Sequence, residues 1–318
     1  MAEPELTLSV VVISFNQKDF LQRLVGQLLE QDYDPARYEI IVVDDGSTDG
    51  SREWLKSVGD ARMKPVFGET NLGRSASRNS GIRAAGGRII VMIDGDHTIQ
   101  PDFLSIHAAR HRRERCVIVG KSDFVEHPDF RALNSYLNGS GAKKLPLDAR
   151  LPGRYFLTRN CSVPRDLLIE VGLFDETFTA WGGEDLDLGV RLEMSGVPIY
   201  GEPRALAIHH HLRPLNDLLR NMRVYGRGGI PILLARHPQL FTELNLHRVL
   251  PAPNGPQSSV GSRWGMRLLL TPVPYVTVRW LANRLRRRRL PRSLLDYLHF
   301  RQYVCGYMDY LKSHERNM

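Results

Sequence analysis

The sequence predicts an α/β protein whose mixed, mostly parallel sheet is flanked by helices. Three observations in its 318 residues support this class. Continuous aliphatic runs indicate strands that are buried on both faces, as in the centre of a parallel sheet. Amphipathic helical segments alternate with these runs, in the order that places helices against a parallel sheet. Several runs also end abruptly in polar or acidic residues, at the sheet edge where such folds bind ligands.

The first elements of this alternation are a strand, a helix and a second strand. A β-branched run over residues 8–13 is followed by a turn cluster at residues 14–16. Apolar residues then recur at helical spacing over residues 20–29, which indicates an amphipathic helix. The second strand, over residues 38–43, ends in a pair of aspartates. Polar groups are therefore expected at the end of each strand.

The next elements lead to the most informative strand. Ser47 or Thr48 is predicted to cap a short helix, and a short third strand is predicted at residues 64–67. A further helix ends at two glycines and precedes the apolar run 88–93. That run is predicted to be a buried strand, and it continues directly into Asp-Gly-Asp-His at residues 94–97.

Asp94 and Asp96 follow this strand with only Gly95 between them. Carboxylate oxygens suit Mn²⁺ and Mg²⁺, which commonly bind one or two carboxylates together with substrate phosphates. We therefore expect Asp96 to hold the cation, Asp94 to accept from ribose hydroxyls and Asp45 to accept from the ring N–H of a pyrimidine. The alternatives are a solvated strand-end turn at Asp-Gly-Asp and, for Asp44, a charge that complements a helix start.

Four segments of the chain resemble family 2 glycosyltransferases of the GT-A fold. They are residues 12–16, 43–49, 71–82 and 94–96, in order and at fitting separations. The resemblance implies a nucleotide-sugar donor, often a UDP-sugar, and Mn²⁺ or Mg²⁺ bound to Asp96. For Arg78 it implies a place near the donor phosphates, with a surface ion pair as the alternative. The residues on the donor side are Ser14, Phe15, Asn16, Asp45, Arg78, Asp94 and Gly95.

A second motif, Trp181-Gly182-Gly183-Glu184-Asp185, stands at the start of a predicted helix. Glycines allow a backbone to approach a sugar closely, and a tryptophan offers an apolar ring face. A carboxylate at a helix start is favoured in its charged form and can accept the proton of an acceptor hydroxyl. The alternative is an acidic first helical turn without a catalytic role, which explains the charges but not the preceding Trp-Gly-Gly.

The same motif resembles the acceptor side of inverting GT-A enzymes, including a galactosyltransferase-like group. The resemblance implies that Asp185 is the general base, that Glu184 orients the acceptor, and that Trp181, Gly182 and Gly183 contact it. Two adjacent carboxylates can share one titration, so residue order alone leaves the choice of base open. Asp187 is expected to be structural, bonded to the backbone of its own helix.

Three consecutive histidines, residues 209–211, follow an apolar run that predicts a short strand. The resemblance implies that one of them completes the cation site. His209 matches the position best, and His211 is the second candidate because it shares a face of the extended segment. His97 either adds a ligand that favours Mn²⁺ or faces solvent.

Basic residues are concentrated towards the C-terminal end. The net charge is +8, and residues 212–318 hold 18 lysines and arginines but only five acidic residues. We predict a catalytic domain at 1–211, with a nucleotide-sugar-binding half (1–100) and an acceptor-binding half (101–211), followed by a basic helical extension at 212–318. An anionic membrane surface is the expected partner of this extension, and nucleic acid is not expected. Basic helices packed on the catalytic domain are the alternative.

Smaller features complete these expectations. The glycine-rich segment 225–229 predicts a mobile loop with Arg227 as a phosphate ligand, and residues 251–262 predict a linker or exposed loop. The three cysteines lack metal or redox spacing. With no signal sequence or membrane span recognised, the expected location is the cytoplasm, with peripheral contact at the inner face of the membrane.

The combined prediction is an inverting, metal-dependent glycosyltransferase that moves one sugar to a hydroxyl of a glycan, lipid-linked or peptide-borne acceptor. Because the Gln-x-x-Arg-Trp signature of processive relatives is absent, transfer of a single sugar is favoured. A nucleotidyltransferase is the rival enzyme, but the chain lacks a Gly-rich phosphate loop after its first strand. A membrane- or nucleic-acid-binding module built on the arginine-rich tail is the rival from another class.

Overall fold

A computed structural model describes residues 7–139, 149–251 and 267–315. Its strands are β1 (Leu8–Ser14), β2 (Tyr38–Asp44), β3 (Met63–Phe67), β4 (Ile89–Asp94), β5 (His97–Ile99), β6 (Val117–Phe124), β7 (Asn160–Pro164) and β8 (Ile199–His209). Its helices are α1 (Lys18–Leu29), α2 (Ser51–Ser57), α3 (Arg74–Ala84), α4 (Phe103–His111), α5 (Arg131–Asn138), α6 (Arg165–Glu170), α7 (Glu184–Met194), α8 (Leu215–Arg236), α9 (Leu240–Glu243), α10 (Pro272–Arg284) and α11 (Arg292–Glu315). The predicted linker lies outside the described residues from position 252 onward, as do residues 1–6.

The eight strands form one sheet in the order β3-β2-β1-β4-β7-β6-β8-β5. β1 pairs in parallel with β2 and β4, β2 pairs in parallel with β3, and β6 pairs in parallel with β8. β7 runs antiparallel to both of its neighbours, and β5 runs antiparallel to β8. The prediction of a mixed, mostly parallel sheet is therefore confirmed.

Alternate side chains of the central strands enter two separate apolar layers, one on each face of the sheet. Val10 and Val12 pack with the leucines of α1, whereas Val11 packs in the opposite layer, which includes Leu188 of α7. Because both faces are covered, a central strand needs apolar residues at every position, which explains the continuous runs in the sequence. The covered faces leave the strand ends as the place for polar chemistry.

The described residues form two compact units. The first lies within Met1–Val125, Leu137–Thr179 and Glu184–Leu212 and holds the sheet. The second lies within Glu126–Tyr136, Ala180–Gly183 and Arg213–Met318 and has its own apolar core, which includes Ile230, Phe241 and Val304. The predicted division at residue 211 had placed the two short segments of the second unit in the catalytic domain. Within the described ranges, no helix is long and apolar enough to cross a bilayer.

The prediction of a mobile loop at residues 225–229 is wrong, because this segment lies in the middle of α8. A Cβ atom on Gly226 would overlap the carbonyl oxygen of Tyr303 in α11, and a Cβ atom on Gly306 would overlap the carbonyl oxygen of Arg223 in α8. Glycines at these positions let the two helix backbones approach closely. The glycine enrichment therefore reflects helix packing, and Arg227 is a helical residue.

Replacing Gly226 with alanine is expected to lower the thermal midpoint by several degrees, because overpacking a tight contact costs about 1–3 kcal/mol. The matched control is Gly26→Ala in α1, where a Cβ atom would meet nothing within 4 Å. The control should be neutral or stabilising, since alanine favours helices over glycine. Circular dichroism melts of both variants test this, and equal midpoints would contradict the packing role of Gly226.

Candidate active site at the strand ends

The parallel strands bring the predicted donor-side residues to one edge of the sheet. Ser14, at the end of β1, is in register with Asp44 at the end of β2. Asp94, at the end of β4, is in register with Ile13, the residue before Ser14. The arrangement follows from strand direction, since parallel neighbours end on the same side.

Asp96, His97 and His209 form a buried cluster at this edge. The antiparallel register of β5 and β8 places His97 opposite His209, and their rings stack with centroids 4.6 Å apart and an interplanar angle of 3°. Asp96 Oδ2 lies 2.8 Å from His209 Nε2, and Asp96 Oδ1 lies 3.1 Å from His97 Nδ1. One potential ligand atom from each residue lies within 4.8 Å of the other two.

The chemistry of this cluster suits a divalent cation. His97 Nε2 and His209 Nδ1 are buried and have no hydrogen-bond partner among the residues that the structure describes, and buried Asp96 Oδ1 has none there beyond its contact with His97 Nδ1. Burial opposes the charged form of Asp96, but the hydrogen bonds and charges of His209 and His97 hold its pKa below the usual range. Burial lowers the pKa of His209, which favours a neutral imidazole. An ionised carboxylate beside a neutral imidazole is a donor set that Mn²⁺ accepts.

The structure separates the three consecutive histidines. Only His209 reaches Asp96 with its ring, whereas His210 Nε2 lies 2.8 Å from the Thr98 hydroxyl and His211 is exposed. His97 is 1% exposed, so the alternative that it faces solvent is wrong. It lies inside because β5 is paired edge to edge with β8.

Arg78, in α3, is the centre of a buried ion network. Its guanidinium lies 3.1 Å from Asp94, 3.4 Å from Glu184 and 3.7 Å from Asp185. Burial alone would lower the pKa of Arg78, but the charges of Asp94, Asp185 and Glu184 raise it above its usual range. The alternative of a surface ion pair is wrong in its location, since Arg78 is 3% exposed. The network joins Asp94, predicted to lie on the donor side, to the carboxylates at the start of α7.

Asp185 combines partial exposure with a raised pKa. Its side chain is 24% exposed, and its Oδ1 accepts a 2.7 Å hydrogen bond from the Thr158 hydroxyl. Burial, followed by the charge of Glu184, raises the pKa of Asp185 to about 6. A carboxylate with this pKa is ionised at neutral pH and is a stronger base than an ordinary aspartate. Glu184 is more deeply buried, with its side chain 7% exposed.

Arg159 is a cation at this site that sequence reasoning missed. Its Nε is buried without a hydrogen-bond partner in the described part of the chain, and its guanidinium lies 5.4 Å from the centroid of the Phe124 ring. Burial lowers the pKa of Arg159, while the charges of Asp94, Asp185 and Asp96 oppose the shift. Arg159 precedes β7, and the reversed direction of that strand, which the sequence did not reveal, brings it to this edge.

The turn residues near the same edge of the sheet hold one another in place. Asp45 accepts backbone N–H hydrogen bonds from Leu72 and Gly73 at 2.9 and 3.0 Å. Asn16, with a φ of 52°, accepts a 2.8 Å hydrogen bond from the backbone N–H of Thr48. The predicted cap by Ser47 or Thr48 is wrong, because α2 begins after Gly50.

Other predicted donor-side residues have different degrees of access. Ser14 is buried, and its hydroxyl lacks a partner among the described residues, whereas Phe15 is largely exposed. Gly95 is buried, and a Cβ atom there would lie 3.2 Å from the carbonyl oxygen of Ile13. Gly95 therefore allows the Asp-Gly-Asp turn to pass close to β1.

The Trp-Gly-Gly part of the second motif belongs to the second unit, together with Tyr225. Gly182 and Gly183 have φ angles of 89° and 111°, which favour glycine. A Cβ atom on Gly182 would also lie 3.2 Å from the Tyr225 ring. Asp187 forms a 2.6 Å ion pair with Arg191, one turn later in α7. Its bond within its own helix therefore involves a side chain.

Comparison with known proteins identifies similar sequences. A validoxylamine A glucosyltransferase of Streptomyces hygroscopicus subsp. limoneus is 30% identical over 271 residues, which cover 74% of this chain and 58% of that protein. The uncharacterized glycosyltransferase YfnE of Bacillus subtilis is 26% identical and covers 67% of this chain and 68% of its own. The chain spans about three fifths of the validoxylamine A glucosyltransferases that it matches.

Solved structures share the fold. The mannosyltransferase PcManGT from Pyrobaculum calidifontis, in complex with GDP-Man and Mn²⁺, has a TM-score of 0.65 at 19% identity and covers 97% of this chain and 88% of its own. S. aureus TarS 1–349 in complex with UDP has a TM-score of 0.56 at 20% identity, covering 98% and 92%. These similarities confirm the predicted GT-A fold class.

Two protein families match the parts of the chain that contain the Asp-Gly-Asp and Trp-Gly-Gly-Glu-Asp motifs. The family described as N-terminal domain of galactosyltransferase matches residues 143–213. The family described as Glycosyl transferase family 2 matches residues 9–172, which is more than half of the chain. This chain therefore belongs to glycosyl transferase family 2.

Proposed function

We propose that this protein is an inverting, metal-dependent glycosyltransferase that moves one sugar from a nucleotide-diphosphate donor to an acceptor hydroxyl. One observation carries the proposal: the Asp96–His97–His209 cluster and the Arg78 ion network with Asp185 lie in the same unit. Their charges act on one another. Burial raises the pKa of Asp94, the charge of Arg78 lowers it, and the charge of Asp96 raises it. A cation stabilises a departing diphosphate, and a carboxylate with a raised pKa can accept the proton of the attacking hydroxyl.

Asp96 and His209 are the proposed cation ligands, and His97 is a third candidate. Their unpartnered buried atoms support this assignment. A bound Mn²⁺ or Mg²⁺ would supply positive charge that stabilises the departing diphosphate. The presence of two imidazoles favours Mn²⁺ over Mg²⁺, because Mg²⁺ prefers oxygen ligands.

On the donor side, we assign Asp45 to the base and Asp94 to the ribose of a UDP-sugar. The partly exposed carboxylate of Asp94 supports its role, since it has capacity to accept further hydrogen bonds beyond Arg78. Ser14 and Phe15 are assigned to the nucleotide as well, and the exposed ring of Phe15 and the unpartnered, though buried, hydroxyl of Ser14 support this. The UDP in the TarS structure and the GDP-Man in the PcManGT structure support a nucleotide-linked donor.

Asp185 is the proposed general base. It would accept the proton of the acceptor hydroxyl while that oxygen bonds to the anomeric carbon and the bond from that carbon to the diphosphate breaks. Attack from the side opposite the leaving group inverts the anomeric centre. Thr158 and Arg78 orient the carboxylate, and burial together with the charge of Glu184 raises the pKa of Asp185 so that it can accept a proton. Trp181, Gly182 and Gly183 are proposed to contact the acceptor.

Arg159 is proposed to face the donor diphosphate. Its Nε is unpartnered within the described ranges, and it feels the charges of the same aspartates that surround the cation site. Replacing Arg159 with methionine should lower kcat/KM for the donor by about 10²-fold, because one preorganised donor to developing charge is lost. Lysine should restore part of the rate. Steady-state kinetics test this, with the exposed Arg113→Met as the matched control; equal kinetics for both methionine variants would contradict the assignment.

The acceptor is proposed to be a glycan, a lipid-linked glycan or a peptide-borne hydroxyl, and the sugar a hexose or N-acetylhexosamine. The names of the relatives support sugar transfer, since they include a succinoglycan biosynthesis protein and a chondroitin synthase. Free cysteines, of which Cys116 and Cys161 are buried, fit action in a reducing compartment such as the cytoplasm.

A panel of nucleotide sugars, with Mn²⁺, Mg²⁺ or chelator, tests the proposed function. We expect one UDP-sugar to raise the thermal midpoint only with the cation present, because a ligand that binds the folded state stabilises it. The same donor should release UDP in the presence of acceptor sugars. Release of pyrophosphate from a nucleoside triphosphate and a sugar phosphate, without UDP release, would favour nucleotidyl transfer instead.

A further inference from the structure

One helix of the second unit presents an apolar face to solvent. Val273, Val276 and Trp280 of α10 are each more than half exposed, and their spacing of three and four residues places them on one side of the helix. Leu268 and Leu269, in a short helical segment just before α10, are exposed as well. Grouped exposed side chains of this size indicate an interaction surface, whereas single ones need no explanation.

The orientation of α10 is fixed by its opposite side. Tyr275 is hydrogen-bonded to Gln302 of α11, and the guanidinium of Arg301 lies 4.1 Å from the centroid of the Tyr275 ring. Ala282 is buried, and the Tyr297 hydroxyl donates a 2.7 Å hydrogen bond to the carbonyl of Leu269. The contacts of Tyr275 hold its side of α10 against α11. The valines and the tryptophan consequently face outward.

Positive charge is concentrated in the segment that carries this apolar face. Residues 267–292 contain eight arginines and no aspartate or glutamate. Arg284, Arg286, Arg288 and Arg289, at the end of α10 and just beyond it, are all exposed. A helix with exposed valine and tryptophan on one face and arginines at its end has the character of an interfacial helix that lies on an anionic bilayer.

We propose that α10 and the arginines that follow it dock this protein on an anionic lipid surface. Trp280, Val276 and Val273 would enter the headgroup region, and the arginines would pair with lipid phosphates. Nucleic acid offers the same phosphate charge, but it gives exposed valines no apolar medium to enter. The apolar face therefore favours lipid. This inference stands apart from the proposed catalysis, because it uses no residue of the candidate active site.

Vesicle sedimentation of the full chain tests the proposal. We expect binding to phosphatidylcholine vesicles that contain phosphatidylglycerol, little binding to pure phosphatidylcholine, and loss of binding between about 0.1 M and 0.5 M salt as charges are screened. The double variant Val276→Ser with Trp280→Ser should lower the partition coefficient at least about tenfold, since two apolar side chains no longer leave water. Arg288→Glu with Arg289→Glu should lower it by a similar factor.

The matched control is Ile169→Ser with Met194→Ser, which removes two exposed apolar residues from α6 and α7. It should bind vesicles like the unchanged protein. All substituted side chains are exposed, and equal thermal midpoints verify folding. Absence of binding by the unchanged protein at low salt, or equal binding to neutral vesicles, would overturn the proposal. So would salt-sensitive binding of duplex DNA that exceeds vesicle binding and survives the serine substitutions at 276 and 280.

Discussion

Replacing Asp185 with asparagine is expected to lower the rate of sugar transfer by about 10³-fold, within the range that loss of a general base produces. Asparagine keeps the shape of the side chain and can still accept the hydrogen bond from Thr158. Donor binding, read from the thermal shift with nucleotide sugar and cation, should change little. The measurement is the initial rate of UDP release with acceptor present.

Glu184→Gln is the comparison that decides between the two carboxylates. It should reduce the rate less than Asp185→Asn, and it should lower the pKa of the base, because the charge of Glu184 raises the pKa of Asp185. The acid limb of kcat/KM, which should fall tenfold per pH unit below about pH 6 when Asp185 is the base, would then move to lower pH. Full loss of transfer in Glu184→Gln, with turnover retained in Asp185→Asn, would reverse the assignment.

Replacing Asp185 with asparagine should also stabilise the folded protein. The pKa of Asp185 in the folded protein is about 6, above the ordinary value of 3.8, so the folded state binds this proton more tightly than the unfolded chain. Stability is therefore lost as pH rises from about 4 through 6, and asparagine avoids this loss. Allowing for partial exposure, the gain is on the order of 1–2 kcal/mol at about pH 8. Thermal melts of Asp185→Asn should show a higher midpoint at about pH 8 and no difference near about pH 4.

Replacing Asp96 with asparagine is expected to reduce transfer by about 10³-fold or more, comparable to removal of other electrostatic stabilisers of a leaving group. The asparagine amide would accept a weaker hydrogen bond from His209 than the carboxylate does, and it would bring no negative charge to a cation. The stabilisation of the protein by Mn²⁺ with donor should disappear together with the rate. Isothermal titration with Mn²⁺ and UDP gives a readout that does not depend on turnover.

Two histidine variants test whether Mn²⁺ binding depends on His209 in particular. His209→Gln should weaken Mn²⁺ binding at least about tenfold, as loss of a metal ligand does. His211→Gln, at an exposed position two residues later, should leave it unchanged. Loss of Mn²⁺ binding in His211→Gln with retention in His209→Gln would contradict the site. So would activity of the unchanged protein that persists in excess chelator.

The edge of the sheet that is proposed to bind the donor could be predicted from the sequence, because it depends on the patterns of individual strands. Runs such as 89–93 are apolar at every position, so they mark buried strands, and parallel strands end on one side. Asp94 and Asp96 therefore had to lie at the same edge as Ser14. His209 required more, since its meeting with Asp96 depends on which strand pairs with β5.

Other features could not be predicted because they depend on contacts distant in sequence. The place of Arg159 requires the antiparallel direction of β7, and nothing in residues 160–164 specifies a direction. The burial of His97 depends on pairing with β8. Glycines at 226 and 306 suggest flexibility when only local propensity is considered, but α8 and α11 use them for close packing.

The register of β5 against β8 has a consequence for how the protein holds a cation. Asp96 and His209 are separated by 113 positions, so a cation shared between them would close a long loop of the chain. Such a crosslink by the cation would restrict the conformations of the chain. Metal affinity and resistance to denaturation would therefore rise together. A fragment that ends before β8 would keep its Asp-Gly-Asp turn but would lack His209, one of the two proposed cation ligands.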